Sequence, residues 1–309
     1  MYHYVRESDV AMPYFRYLSV ENFQKQLDYF EKEFEILKYE EFLSFLEGSI
    51  EFSQIEGKII LTFDDGFIDH YTTVLPELQK RGIFGLFYVP TGVHERQKAL
   101  DVHRIHYLLG KFGGMKMLEA LQEKMTDTMI DKSHYDEFKH HTYLNQLNDD
   151  ATDEFKKIFN YYIAYEYRET LLDDLVKMFS NDANIFKDLY MSIEQLEELK
   201  EANMVIGSHS VNHFVMSKLS EDDQEIEIGD SFRFIEEKLG KQKIKTFCYP
   251  YGGFHTFSQE TEDILNDNGC AFSFNVESRD VTMLDFKSRP QALPRYDCNA
   301  FPHGKASMG

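Results

Sequence analysis

Two short clusters in the 309-residue chain hold side chains that could do chemistry together. The first is Thr62-Phe63-Asp64-Asp65-Gly66, which closes the apolar run from Lys58 to Phe63. Side chains alternate along an extended backbone, so these two consecutive carboxylates point in different directions. One can hold a cation while the other faces a neighbouring group. Two negative charges this close are costly unless a cation or solvent offsets them. The second cluster is His209-Ser210-Val211-Asn212-His213. Histidines four residues apart in a turn or short helix can present both imidazoles on one side, and neutral imidazole is a good zinc ligand. Two histidines and one carboxylate leave a coordination position open for water, the pattern of a catalytic rather than a structural metal site. Taken singly, the first cluster also reads as a solvated Asp-Gly turn and the second as scattered surface histidines.

Both clusters sit where strands should end. Lys58–Phe63 reads as a strand, a helix follows from about Thr72 to Arg81, and Gly82 stops it. Phe84–Val89 is a second buried strand, closed by Pro90 and Gly92. Strand, helix and strand in this order imply a parallel sheet. From 95 to 187 the strand signal is lost. Apolar residues recur at helical spacing, as in Leu108, Phe112, Met115, Leu118 and Leu121, then Phe155, Phe159, Tyr162 and Ile163. This stretch reads as a helical insertion, a possible lid or wall. The rhythm then returns. Ser192 and Gln195 form a capping box, Met204–Ser208 is a strand, and Ser220–Leu239 is a helix. Lys245–Cys248 and Ala271–Val276 are strands with a helix from Ser258 between them, and a last strand begins at Leu293. Barrels and open doubly wound sheets both fit this order, and both carry functional residues at the carboxyl ends of strands. Three clusters fall there: Asp64-Asp65, His209–His213 and Pro250-Tyr251-Gly252.

The formal charge of −21 disfavours phosphate backbones and anionic membrane surfaces, so nucleic-acid partners are not expected. No apolar run approaches the roughly 18 residues that span a bilayer, so membrane insertion is not expected. Charged residues stand near the N-terminus where a signal sequence would be apolar, and the three cysteines, Cys248, Cys270 and Cys298, form no C-x-x-C pair. Both features suggest a cytoplasmic setting with reduced thiols.

Taken together, the two clusters resemble the polysaccharide deacetylases, the NodB-homology group of carbohydrate esterases. The family's T-F-D-D-G motif stands at 62–66 and its H-S/T-x-x-H motif at 209–213. Tyr2-His3, the Leu18–Leu27 helix, Met191–Leu199 and Val205–Ser208 are also similar to the family. The resemblance implies a distorted (β/α) barrel of about seven parallel strands, formed by 1–94 and 188–309, with 95–187 inserted. It implies a divalent ion, zinc foremost with cobalt or nickel as alternatives, held by Asp65, His209 and His213. Asp64 would be the general base on the metal-bound water. The backbone N–H of Tyr251, in Tyr249-Pro250-Tyr251-Gly252, would stabilise the oxyanion, with Pro250 and Gly252 beside the substrate.

Two positions depart from the family pattern. Its third motif begins with an Arg that orients the base, whereas Phe247 or Cys248 stands there. Its last motif carries an acidic His in L-x-H, whereas here the residues are Leu293-Pro294-Arg295. Arginine cannot serve as a proton-transfer acid. Deacetylases resembling those of poly-N-acetylglucosamine take their acid from a Tyr-His on the first strand, so His3 is the expected acid and His303 its rival. Arg295 would then bind a substrate carboxylate or phosphate, or hold Asp64 in place of the missing Arg. The neighbouring Asp297 has no fixed role. A further cluster, Asp101-Val102-His103-Arg104-Ile105-His106, reads as a helix start.

The function implied is removal of the N-acetyl group from an amino sugar, in an intracellular glycan or sugar intermediate. A deformylase or small-amide hydrolase, and a carbohydrate-binding protein without turnover, are the alternatives. Oligomeric state is not readable.

Overall fold

A computed structural model describes residues 1–130 and 149–308, so part of the expected helical insertion, 131–148, lies outside the described residues. The chain forms two compact units. One comprises Met1–Glu7, Tyr17–Gln97 and Lys187–Ser307; the other is built on Ser8–Arg16 and Lys98–Phe186.

In the first unit, β1 (Val5–Arg6) pairs in parallel with β2 (Arg16–Ser19). The main sheet holds β3 (Leu61–Phe63), β4 (Gly85–Val89), β5 (Val205–Ser208), β6 (Thr246–Cys248) and β7 (Phe272–Phe274). They lie side by side in sequence order and all pairs are parallel. All five are buried throughout, as expected of parallel strands covered on both faces. Single parallel bridges, Tyr2 to Phe63 and Leu293 to Phe274, extend the two edges. The expected seven strands are therefore five continuous ones plus two one-residue staves. At the Leu293 edge the Leu293 N–H bonds the Ser273 carbonyl at 2.8 Å and the Leu293 carbonyl accepts the Asn275 N–H at 2.9 Å, which completes a single bridge.

Aromatic packing fixes the first strands. Phe63 stacks on Tyr2 at 5.3 Å and on Phe87 at 4.7 Å. Gly85 makes room for this, because a Cβ there would fall 2.9 Å from the Phe63 ring. The helix Val20–Glu33, capped by Ser19, turns Phe23, Leu27 and Phe30 into the same core.

Two expected α-helices contain a turn of π-helix. The first runs as a π turn, His70–Val74, into Leu75–Arg81. The second is split into Glu221–Glu225, a π turn Ile226–Asp230 and Ser231–Leu239. π turns recur at functional sites, and both of these carry side chains that support the candidate site.

The second unit is helical among its described residues, with Asp101–Phe112, Gly114–Lys124, Asp150–Lys157 and Tyr165–Phe179. Leu108, Leu121, Phe155 and Phe159 are buried as the spacing suggests, but Met115 is 64 % exposed. Gly113, at φ +79°, breaks the helix and resets its phase, so Met117 and Ala120 take the inward positions instead. Arg104 is fully buried and pairs with Asp101, Asp173 and Asp182 at 2.5–3.1 Å. The cluster at Asp101–His106 does open a helix, Asp101–Phe112, but His103 is buried and Arg104 belongs to an internal ion network.

Candidate metal and catalytic site

Asp65, His209 and His213 converge at the carboxyl ends of β3 and β5. One Asp65 carboxylate oxygen lies 3.6 Å from His209 Nε2 and 3.7 Å from His213 Nε2, and one ligand atom from each residue falls within 4.8 Å of the others. Two donors about 2.1 Å from one tetrahedral ion sit about 3.4 Å apart, so the donor set fits a zinc-like cation in both type and spacing. His209 is oriented from behind. Its Nδ1 is 2.7 Å from the Cys248 carbonyl. A carbonyl only accepts, so Nδ1–H donates and the lone pair of Nε2 faces Asp65. Burial holds the His209 pKa below its usual value, which favours the neutral ring a metal needs.

The loops bearing these ligands are conformationally strained. Asp65, Ser210, His213 and Tyr251 all have left-handed backbones, with φ of 77°, 62°, 59° and 64°. Such conformations cost side-chain-bearing residues roughly 1–3 kcal/mol each and persist only where the surroundings impose them. For the histidine loop the surroundings are explicit. Ser210 Oγ accepts the His213 N–H at 2.9 Å, and Ser208 Oγ accepts the Ser210 N–H at 3.1 Å. The Glu227 carboxylate accepts the N–H groups of Val211 and Asn212 at 3.1 and 2.7 Å, and also the Asn212 side-chain amide. Gly92 donates to the Val211 carbonyl at 2.9 Å, and a Cβ on Gly92 would approach that oxygen to 2.8 Å. Glu227 escaped the sequence reading. It sits in the π turn, and nothing local separates it from the other acids of that helix.

Asp64 stands beside the triad, with one ligand atom each of Asp64, His209 and Cys248 within 4.8 Å of the others. Its oxygens take a two-pronged ion pair from Arg295, at 2.8 Å from Nη1 and 2.5 Å from Nη2. Burial alone would raise the Asp64 pKa, but the Arg295 charge and hydrogen bonds hold it well below the usual carboxylate range. Arg295 is buried, and two of its N–H groups are bonded to Asp64. Cys248, one of the two positions with Phe247 at which the family's Arg was expected, lies beside the pair with Sγ 2.8 Å from Arg295 Nη2.

His3 approaches from the other edge of the sheet, its Nε2 3.9 Å from the second Asp65 oxygen and its side chain 43 % exposed. Its carbonyl accepts a 2.8 Å hydrogen bond from Nε2 of His70, the residue opening the first π turn. His303 is exposed, in the segment whose Pro302 carbonyl bonds Gln26. The neighbouring Asp297 caps the turn Cys298–Ala300, accepting the Asn299 N–H at 2.8 Å. Tyr251 is exposed, with its ring 5.0 Å from that of His213. Pro250 and Gly252 are buried and shape the turn. The Gly252 N–H bonds the Pro250 carbonyl at 2.8 Å, and a Cβ on Gly252 would meet Val276 at 2.6 Å.

Residues 176–273 match the family model described as polysaccharide deacetylase. That span contains His209–His213 and Tyr249–Gly252, while Asp64-Asp65 lies before it. Three solved structures share the fold. A Streptococcus pyogenes deacetylase, PplD, solved in complex with acetate, is similar with a TM-score of 0.56 at 17 % identity, over 96 % of this chain and 88 % of that one. IcaB from Ammonifex degensii gives 0.53 at 20 % identity, over 96 % and 88 %. A de-N-acetylase from Aggregatibacter actinomycetemcomitans gives 0.51 at 12 % identity, over 96 % and 92 %. No curated protein matches the chain in sequence. The parallel sheet with its edge staves is thus the distorted (β/α) barrel of deacetylases. The family match covers about a third of the chain, and the likeness to these solved structures is one of fold. No helix among the described residues is long and apolar enough to cross a membrane.

Proposed function

We propose that the protein is a metal-dependent N-deacetylase that hydrolyses the acetyl group of an amino sugar, in an oligosaccharide or sugar intermediate. The observation that carries this reading is the triad Asp65, His209 and His213 standing beside a second carboxylate, Asp64, fixed by an arginine. A binding protein has no use for a base held next to a metal site. Held by the triad, a divalent ion such as zinc supplies Lewis acidity, which acidifies water and polarises the acyl carbonyl.

The remaining work belongs to the chain. Asp64 takes the proton from the attacking water as the new C–O bond forms. The backbone N–H of Tyr251 donates to the developing oxyanion. His3, on the opposite side of Asp65 from the histidine pair, returns a proton to the nitrogen as the C–N bond breaks, giving acetate and the free amine. The three unpaired cysteines support an intracellular setting.

The test is elemental analysis of wild type and His209→Ala after chelation and refilling with zinc, followed by acetate assay on N-acetylated amino sugars. One ion per wild-type chain, lost in the variant together with acetate release, is the expected outcome. A wild type that binds no ion stoichiometrically overturns the hydrolase reading. Formate release without acetate would move it to a deformylase.

A further inference from the structure

The triad of Asp65, His209 and His213 does not exhaust the donors at these strand ends. A second set meets at the same imidazole, formed by Asp64, His209 and Cys248. All three are buried, at 2 %, 2 % and 0 % exposure, so this is not a loose gathering of surface acids. Cys248 ends β6, and its Sγ lies 3.7 Å from Asp64 Oδ2. Asp64 keeps room for a cation while paired with Arg295. A carboxylate has about four acceptor positions, and the two bonds from Arg295 leave the others open.

The two sets differ in charge and in softness. Asp65 with two neutral imidazoles carries one negative charge. Asp64 with a Cys248 thiolate carries two, which balance a divalent ion where an unbalanced buried charge is costly. Burial raises the Cys248 thiol pKa well above its ordinary value, so without a metal the sulfur keeps its proton and offers little to a hard ion. Thiolate selects soft cations. Such a cation displaces the thiol proton to solvent, and Arg295, with Nη2 2.8 Å from Sγ, then faces the new anion. His209 belongs to both sets. Its Nδ1–H is engaged by the Cys248 carbonyl at 2.7 Å, so its single lone pair, on Nε2, serves one set at a time.

We propose that Asp64, His209 and Cys248 form a second metal site, selective for a soft thiophilic cation, which competes with the triad for His209. A cation held there occupies the carboxylate that would otherwise take the proton of the attacking water, so it stops turnover. This inhibition rests on the deacetylase reading, whereas the binding does not.

The experiment titrates metal-free wild type, Cys248→Ala, Cys248→Ser, Cys270→Ala, Cys298→Ala and His213→Ala with Cd2+. The thiolate-to-cadmium charge-transfer band is followed in the ultraviolet, together with bound cadmium per chain. The wild type should show the band and bind one ion per chain. Both Cys248 variants should lose the band, while Cys270→Ala, Cys298→Ala and His213→Ala should keep it. If Cys248→Ala fails to fold, Cys248→Ser, which keeps the shape and replaces the soft donor with a hydroxyl, carries the same test. Zinc-refilled wild type and Cys248→Ala are then assayed for acetate release from an N-acetylglucosamine oligomer, each relative to its own cadmium-free rate. The cadmium concentration that halves the rate should be at least about tenfold higher in Cys248→Ala, since even indirect supports of a metal are worth that much. No band in the wild type, or a band of equal strength in both Cys248 variants, would overturn the site. Two cadmium ions per chain would overturn the competition for His209, and undiminished acetate release by wild type showing the band would overturn the inhibition. If the zinc-loaded wild type releases no acetate from any N-acetyl sugar, the deacetylase reading fails, while the band and its loss in the Cys248 variants still decide the metal site.

Discussion

Arg104 in the helical unit and Arg295 in the sheet unit are both buried guanidiniums, 0 % and 7 % exposed, and both are paired with aspartate. Their partners differ. Asp101, Asp173 and Asp182 around Arg104 have side chains 53 %, 31 % and 34 % exposed, so water shares in solvating them. They come from well-separated parts of the chain, and the arginine ties those parts together. Asp64 beside Arg295 is 3 % exposed and has neighbours instead of water: the Cys248 thiol and a second carboxylate one residue on. A buried arginine is thus no mark of function. What distinguishes the second pair is the burial of its carboxylate at a strained strand end, next to three ligands that fit a cation. A desolvated carboxylate that must stay charged is expensive, and nothing in the packing of the sheet demands one there.

If this contrast is correct, the largest effect comes from neutralising Asp64 without changing its shape. Asp64→Asn should retain bound zinc and lose about 1000-fold in kcat, the usual span for removing a general base. A fall of less than about tenfold would mean that the proton leaves by another route, and would reduce the Asp64–Arg295 pair to the structural status of its counterpart. His3→Ala should cost about 100-fold in kcat with zinc content preserved, and His303→Ala should cost little. The reverse pattern would transfer the acid to His303.

That Asp65, His209 and His213 would gather beside Asp64 was legible in the sequence because the two clusters are local. Asp64 and Asp65 are adjacent, the two histidines stand four apart, and both clusters follow unmistakable strands. His3 was legible only through the family resemblance, since a histidine near a terminus has no signature of its own. The supporting residues were hidden for a different reason. Arg295 is 231 residues from Asp64, so only sheet closure brings it there, and the sequence left two roles open to it. Glu227 is set by a π turn, which departs from α-helix by a single hydrogen-bond register and leaves no compositional trace. The phase of the helix after Gly113 failed likewise. The glycines at 113 and 114 mark the break but not the rotation it introduces, so helical spacing places Met115 inward whereas it faces solvent.

On the structural side of the contrast, Arg104→Met should leave kcat within about twofold of wild type and lower stability by about 2 kcal/mol, the scale of charge-assisted hydrogen bonds lost from partly hydrated carboxylates. The readout is a urea midpoint alongside the acetate assay. Loss of turnover in a folded protein would show that the helical network serves the chemistry after all, and would erase the distinction drawn between the two arginines.

The smallest expected effect concerns a histidine that belongs to neither cluster. His94 is buried against Phe234, with ring centroids 5.9 Å apart, and burial lowers its pKa from the ordinary 6.5 to about 4. The unfolded chain therefore binds a proton at this site between those two values, where the folded protein does not. Its contribution to stability is fully present above pH 6.5 and is lost as pH falls towards 4. Urea unfolding at pH 7 and pH 5 should show a loss of about 1–2 kcal/mol from this residue alone, and His94→Phe should remove that much of the pH dependence. His70, also buried and lowered to about 4, should act in the same direction, but its bond to the His3 carbonyl ties it to the catalytic edge. The two histidines therefore repeat the comparison of the arginines. His94→Phe should flatten the stability profile with little change in turnover, whereas His70→Phe should flatten it and also lower kcat by releasing the backbone segment that carries His3. Equal turnover in both variants would show that the π turn at His70 supports the fold alone.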